Sequence, residues 1–232
     1  MTMPTIVLIH GAYQGGWIWQ RTSKILREAG NLVLSPTLEG CAERAHQIRP
    51  GINTESHADE IAQLLFYEDI TNAVLVGTSS GGMVMAKAAE MMRDRVEQII
   101  FVDALALMDG ESVGDIVQRK TAINTALASG PPRSDVINRL FKDLEEPTKS
   151  WAIERYTLQP IACMRDPIEL KRFWTQKWKA SVIWCRQSVN PPEAHQRRTA
   201  ETLGASWHEL DTGHYPMLSE PVALARLIME GG

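Results

Sequence analysis

A serine lies between glycines in Gly77-Thr78-Ser79-Ser80-Gly81-Gly82, directly after the apolar run Ala73–Val76. The run reads as a buried strand. The segment after it, Gly81 to Met92, is small and apolar on nearly every face and reads as a buried helix. A serine at such a strand-to-helix turn carries its hydroxyl at the tip of a strained bend. The flanking residues must be tiny, because the two backbones approach closely there. The helix N-terminus beneath favours developing negative charge. This arrangement suits nucleophilic attack. With Ser80 as nucleophile, Thr78 would fall on the first glycine position, so Ser79 is the candidate.

A hydroxyl needs a base to take its proton. Six histidines are available. His10 ends the first strand, His46 and His57 lie in or beside a polar loop, His195 reads as part of a surface helix, and His208 falls within a short strand. His214 differs. It sits in Asp211-Thr212-Gly213-His214-Tyr215-Pro216, a loop leaving the last strand before the final helix. A loop at a strand's carboxyl end is where an imidazole can face the serine turn.

These residues need a scaffold. Thr5–Ile9, Leu32–Leu34, Ala73–Val76 and Val96–Val102 read as strands. Helices are expected at Trp17–Ala29, from Thr54 as N-cap, and at Gly81–Met92. After Leu105 the pattern changes. Helices are expected at Glu111–Ala128, Ser134–Leu144, Thr148–Leu158 and Pro167–Trp178, with no strand among them. Strand and helix then return as Ser181–Trp184, Pro192–Leu203, Ser206–Leu210 and Pro221–Met229. The alternation predicts an α/β fold: a mostly parallel sheet of about six strands with helices on both faces. Residues 1–104 and 179–232 form the core, and 105–178 form an inserted helical lid over the strand ends where such sheets bind ligands. The lid is rich in Trp, Met and Leu, with Trp151, Met164, Phe173, Trp174 and Trp178 among its large apolar residues, which suits an apolar pocket.

Composition narrows the function classes. Of 232 residues, 44% are hydrophobic and 22% charged, with net charge −4 and no outstanding basic run. Nucleic acid is therefore not an expected partner. No stretch approaches the length needed to span a bilayer, and no targeting segment is expected at Met1–Pro4. Three scattered cysteines, Cys41, Cys163 and Cys185, fit free thiols and a cytoplasmic setting. There is no metal-ligand cluster and no dinucleotide fingerprint, so no cofactor is expected. A homodimer is left open.

The serine turn, the opening His10-Gly11-Ala12-Tyr13-Gln14-Gly15-Gly16-Trp17 and the Gly213-His214 loop together resemble α/β-hydrolases. The nearest branch is the small-esterase and hydroxynitrile-lyase group. Pro36-Thr37-Leu38-Glu39-Gly40 with Glu43-Arg44-Ala45-His46 is similar to a bacterial esterase-like subgroup. The resemblance implies an oxyanion hole from the backbone N–H groups of Ala12 and Ser80. Many relatives carry the orienting acid after the strand placed here at Ser181–Trp184, but the local sequence, Cys185-Arg186-Gln187-Ser188-Val189-Asn190, has no carboxylate. Asp103, ending Ile99-Ile100-Phe101-Val102-Asp103, is the substitute, because a buried Asp at a strand end is costly without a partner. Asp211 is too local to orient His214, and Glu193 falls on an exposed helix. A Ser79–His214 dyad oriented by water stays open.

The implied activity is hydrolysis of a carboxylic ester or lactone of a small hydrophobic substrate by a serine esterase. Tyr13 and Trp151 are the candidate substrate contacts. Two alternatives belong to other classes: a ligand-binding protein without turnover, and a hydroxynitrile lyase. The lyase branch has Thr at the position of Gly11 and Lys after the catalytic His, where this chain has Tyr215.

Overall fold

The computed structural model describes residues 4–117 and 122–231. The chain begins with β1 (Thr5–Ile9), α1 (Gln20–Glu28), β2 (Leu32–Leu34), α2 (Thr54–Tyr67), β3 (Ala73–Ser79), α3 (Gly81–Met91) and β4 (Val96–Ala104). The segment 105–178 carries short elements: α4 (Val113–Ile116), β5 (Ile123–Asn124), β6 (Ala128–Gly130), α5 (Arg133–Asp135), α6 (Thr148–Glu154), β7 (Gln159–Pro160) and α7 (Ala162–Arg165). The chain then resumes with β8 (Lys179–Cys185), α8 (Glu193–Leu203), β9 (Ser206–Leu210), α9 (Pro216–Ser219) and α10 (Pro221–Glu230).

Six strands make one parallel sheet in the order β2-β1-β3-β4-β8-β9. Its central strands are apolar runs because both faces are covered. From β1, Val7 and Ile9 point to one face, where they meet Ala58, Ile61 and Leu65 of α2 and Met83 of α3. Ile6 and Leu8 point to the other, where they meet Leu26 of α1 and Leu224 and Ile228 of α10. The alternation follows the two-residue period of a strand. The order reverses between β1 and β3, which puts the carboxyl end of β3 at the natural ligand crevice of such a sheet.

The segment between β4 and β8 departs from the expected helical lid. It contains a small antiparallel sheet in which β6 pairs with both β5 and β7. The helix expected at Glu111–Ala128 is one turn, Val113–Ile116, followed after the undescribed residues 118–121 by β5 and β6. The helix expected at Pro167–Trp178 is mostly irregular chain with a short turn at Phe173–Thr175. The apolar residues read as helical spacing serve instead as anchors. Phe173 stacks on Trp178 with ring centres 5.3 Å apart, and Trp174 Nε1–H donates to the Leu107 carbonyl at 3.0 Å.

Both ends of this segment are tied to the core by charge-assisted bonds. The Glu90 carboxylate on α3 accepts the Arg172 and Phe173 backbone N–H groups, each at 2.7 Å. Arg198 on α8 pairs with both oxygens of Glu111 at 2.7 and 2.8 Å. His195 is not a surface residue. Its ring is buried, and Nε2 accepts the Ala106 N–H at 3.0 Å.

Candidate active site

Ser79 ends β3 with φ +51°, a left-handed conformation that residues other than Gly, Asn and Asp seldom adopt. The glycines around it are required by contact. A Cβ on Gly77 would lie 2.7 Å from the Gly81 carbonyl oxygen, and one on Gly81 would lie 2.5 Å from that of His10. A Cβ on Gly11 would come within 2.6 Å of the Ser79 Cβ, so the loop after β1 lies directly against the serine. Ser80 is buried and precedes the first turn of α3.

Asp103 lies beside this turn because β4 is the neighbour of β3. The register shifts at the end of the pair, so that Ser79 faces Ala104, and Asp103 takes φ +44°. Its carboxylate is fully buried. One oxygen, Oδ2, meets Nδ1 of His214 at 2.5 Å. The other, Oδ1, accepts Gln196 Nε2–H at 2.7 Å and the Cys185 N–H at 3.4 Å. His214 arrives from the loop after β9, reaching across β8. With Nδ1 held by the carboxylate, Nε2 is the nitrogen left to face the cavity. Ser79 and His214 line the same cavity.

Four residues of the loop after β1 are fixed by named bonds. His10 is buried, its Nδ1–H donating to the Gly11 carbonyl at 2.8 Å while Nε2 accepts the Leu38 N–H at 3.0 Å. The Gly11 N–H donates to Gln14 Oε1 at 3.3 Å, and the Tyr13 N–H to Gln159 Oε1 at 3.2 Å. The Ala12 amide lies between these two, in a peptide whose carbonyl His10 holds. Ala12 and Tyr13 both line the cavity.

The cavity encloses about 100 Å³ between the core and the inserted segment. Leu105, Gly130, Pro131, Leu140 and Tyr215 supply apolar wall, while Arg139 and Asn190 add polar groups. Trp151, expected as a substrate contact, does not line it. Its ring packs edge-on against Trp17 at 5.2 Å with the Arg155 guanidinium 4.3 Å above it, lining a separate cleft beside α1. The alternative acids are elsewhere: Asp211 pairs with Arg186 at 3.2 Å, and Glu193 pairs with Arg197 at 3.1 Å on the exposed side of α8. Gln196 and Gln159 are the site residues that sequence reasoning missed. For Gln196 a signal existed: it shares the inward stripe of α8 with Thr199 and Ala200.

Among the described residues no group of three or more His, Cys, Asp and Glu side chains is placed to hold a metal ion. No described helix is long and apolar enough to cross a membrane. Cys41, Cys163 and Cys185 are buried free thiols.

Burial holds His57 below its ordinary range, and two more histidines outside the Asp103–His214 pair add to the same pH dependence. Burial lowers His10 from its ordinary 6.5 to about 4. Burial, then the nearby Arg198, lowers His195 to about 4 as well. Between pH 6.5 and 4 the unfolded chain binds more protons at these sites than the folded one, so stability falls as pH falls. His10 and His195 each contribute on the order of 3 kcal/mol above pH 6.5 that is lost by pH 4. Urea midpoints are expected to drop steeply from pH 7 to 4.5. A flat profile over that range would show that none of these histidines is held neutral by the fold.

The chain belongs to the α/β hydrolase family: residues 6–227 match it. It is similar to the carbendazim hydrolyzing esterase of Nocardioides sp. (strain SG-4G), with 34% identity over 111 residues, 48% of this chain and 46% of that protein. It is also similar to putative methylesterase 11, chloroplastic, of Arabidopsis thaliana, at 25% identity over 255 aligned positions covering 97% of this chain and 63% of that one. The chain thus spans less than two thirds of the length of each of these relatives. Among solved structures, the fold is similar to an extracellular α/β-hydrolase from a Paenibacillus species, described as sharing structural and functional homology with Tobacco Salicylic Acid Binding Protein 2. That comparison has a TM-score of 0.84, 21% identity and 99% coverage of both chains.

Proposed function

We propose that the chain is a serine hydrolase that cleaves a carboxylic ester or lactone of a small substrate through an acyl-enzyme. The observation carrying this reading is the 2.5 Å contact between His214 Nδ1 and the buried Asp103 carboxylate, in a cavity shared with the strained Ser79. The names of the two relatives, an esterase and a methylesterase, support ester hydrolysis in general.

Ser79 Oγ attacks the ester carbonyl while His214 Nε2 takes its proton. Asp103 holds the proton on Nδ1 and stabilises the imidazolium that forms. The carbonyl oxygen becomes an oxyanion held by the Ala12 and Ser80 N–H groups, each worth on the order of 10²–10³ in rate. Collapse expels the alcohol, which receives the proton from His214. Water then enters and attacks the acyl carbon as His214 takes its proton; collapse releases the acid, and His214 returns the proton to Ser79 Oγ. The inserted segment acts as a lid over these steps, and Tyr13 borders the bound substrate.

A cavity of about 100 Å³ walled by Leu105, Leu140 and Tyr215 suits a small apolar acyl or alcohol group. A panel of p-nitrophenyl esters is expected to show turnover with kcat/KM highest for acetate and butyrate and at least tenfold lower for octanoate. Ligand binding with no turnover of any ester or lactone would overturn the enzymatic reading in favour of a receptor.

A further inference from the structure

We infer that Gln159, in the inserted segment, is a positioning residue for the oxyanion donor of Ala12; this rests on the hydrolase reading above. Tyr13, the residue after that donor, stands at φ +70°, a left-handed conformation strained for a side chain of its size. Such a conformation persists only where neighbours hold it. The neighbours here come from 144 or more positions away: the Tyr13 N–H donates to Gln159 Oε1 at 3.2 Å, and the Tyr13 carbonyl accepts the Thr157 N–H at 3.2 Å.

The clamp is itself fixed. Gln159 is buried and its backbone pairs with Ser129 in the small sheet. Its Oε1 also accepts the buried Cys41 thiol at 3.5 Å, and the side chain of Thr157 accepts the Ala42 N–H at 3.0 Å. The Tyr13 ring lies against Tyr156 with centres 5.6 Å apart, and the site of Gly130 leaves room for it: a Cβ there would come within 3.2 Å of Tyr13 Cε1. Every part of this clamp belongs to the inserted segment or to the loop at 41–42. On the other side of the Ala12 amide, His10 holds the Gly11 carbonyl. A trans peptide directs its N–H opposite to its carbonyl. The Ala12 N–H is therefore aimed by His10 from the core and by Gln159 from the insertion. The inserted segment contributes to rate, beyond covering the cavity.

The test compares wild type, Gln159→Met and Gln159→Leu on p-nitrophenyl acetate, with circular dichroism and melting temperature for each. Methionine keeps the length and removes the acceptor. Gln159→Met is expected to lower kcat by tenfold to a hundredfold with KM within about threefold, because the donor acts on the oxyanion and not on the bound ester. Inhibition by a trifluoromethyl ketone, whose serine adduct carries the same oxyanion, should weaken by the same factor as kcat/KM. Gln159→Leu also removes the acceptor, without adding charge, and should lose kcat to a similar extent. A folded Gln159→Met or Gln159→Leu with wild-type kcat overturns the proposal, as does a loss carried by KM with kcat unchanged. Failure of the hydrolase reading is separate: wild type itself would then give no turnover.

Discussion

Ser79→Ala is expected to lose ester hydrolysis by a factor on the order of 10⁵–10⁶ in kcat, leaving a residue of activity from the oxyanion donors and binding alone. The size follows from the proposed acyl-enzyme route. Without Oγ, the covalent intermediate has no atom to form on, and His214 has only water to activate. The substitution should not disturb the fold. Alanine occupies the same left-handed conformation at φ +51° at a cost close to that of serine. The variant should therefore melt at or slightly above the wild-type temperature. Steady-state rates on p-nitrophenyl acetate check this, with circular dichroism as the control. A loss smaller than tenfold would mean that another nucleophile performs the reaction.

Asp103→Asn is expected to lower kcat by about 10³–10⁴ while the protein stays folded. The hydrogen bonds around Asp103 give the reason. Gln196 Nε2–H and the Cys185 N–H both point at Oδ1, so an asparagine keeps its carbonyl oxygen there. Its NH₂ group then faces His214 Nδ1. That nitrogen must accept rather than donate, which moves the imidazole proton to Nε2, where it blocks removal of the Ser79 proton. In the proposed mechanism the fully buried carboxylate also supplies the negative charge opposite the developing imidazolium, and asparagine supplies none. A kcat within tenfold of wild type would show that Asp103 is not the orienting acid.

The parts of the site fixed by backbone sterics were legible in the sequence. Gly77, Gly81 and Gly82 stand where strand, turn and helix touch, and β1, β2 and β9 fall on the residues expected because each is bounded by turn residues. That Asp103 would take a buried partner, which is His214, was legible through the cost of an unpartnered carboxylate at a strand end. Much of the inserted segment was not. Strands of two or three residues carry no periodicity, and β7 finds its partner β6 some thirty positions earlier in the chain. Trp151 reads like a pocket residue by type, yet its direction depends on packing against Trp17. Gln159 gave no local signal, since its significance comes from the strained Tyr13 to which it bonds. His195 looked exposed because charged neighbours flank it, whereas its own position falls on the inward stripe of α8 with Thr199.

The most direct test of the central claim is covalent labelling with a fluorophosphonate, followed by peptide mass spectrometry of the wild type, Ser79→Ala and His214→Ala. One adduct per chain on Ser79 is expected, none in Ser79→Ala, and labelling slowed by orders of magnitude in His214→Ala. No adduct on the wild type, or an adduct on any other residue, contradicts that claim.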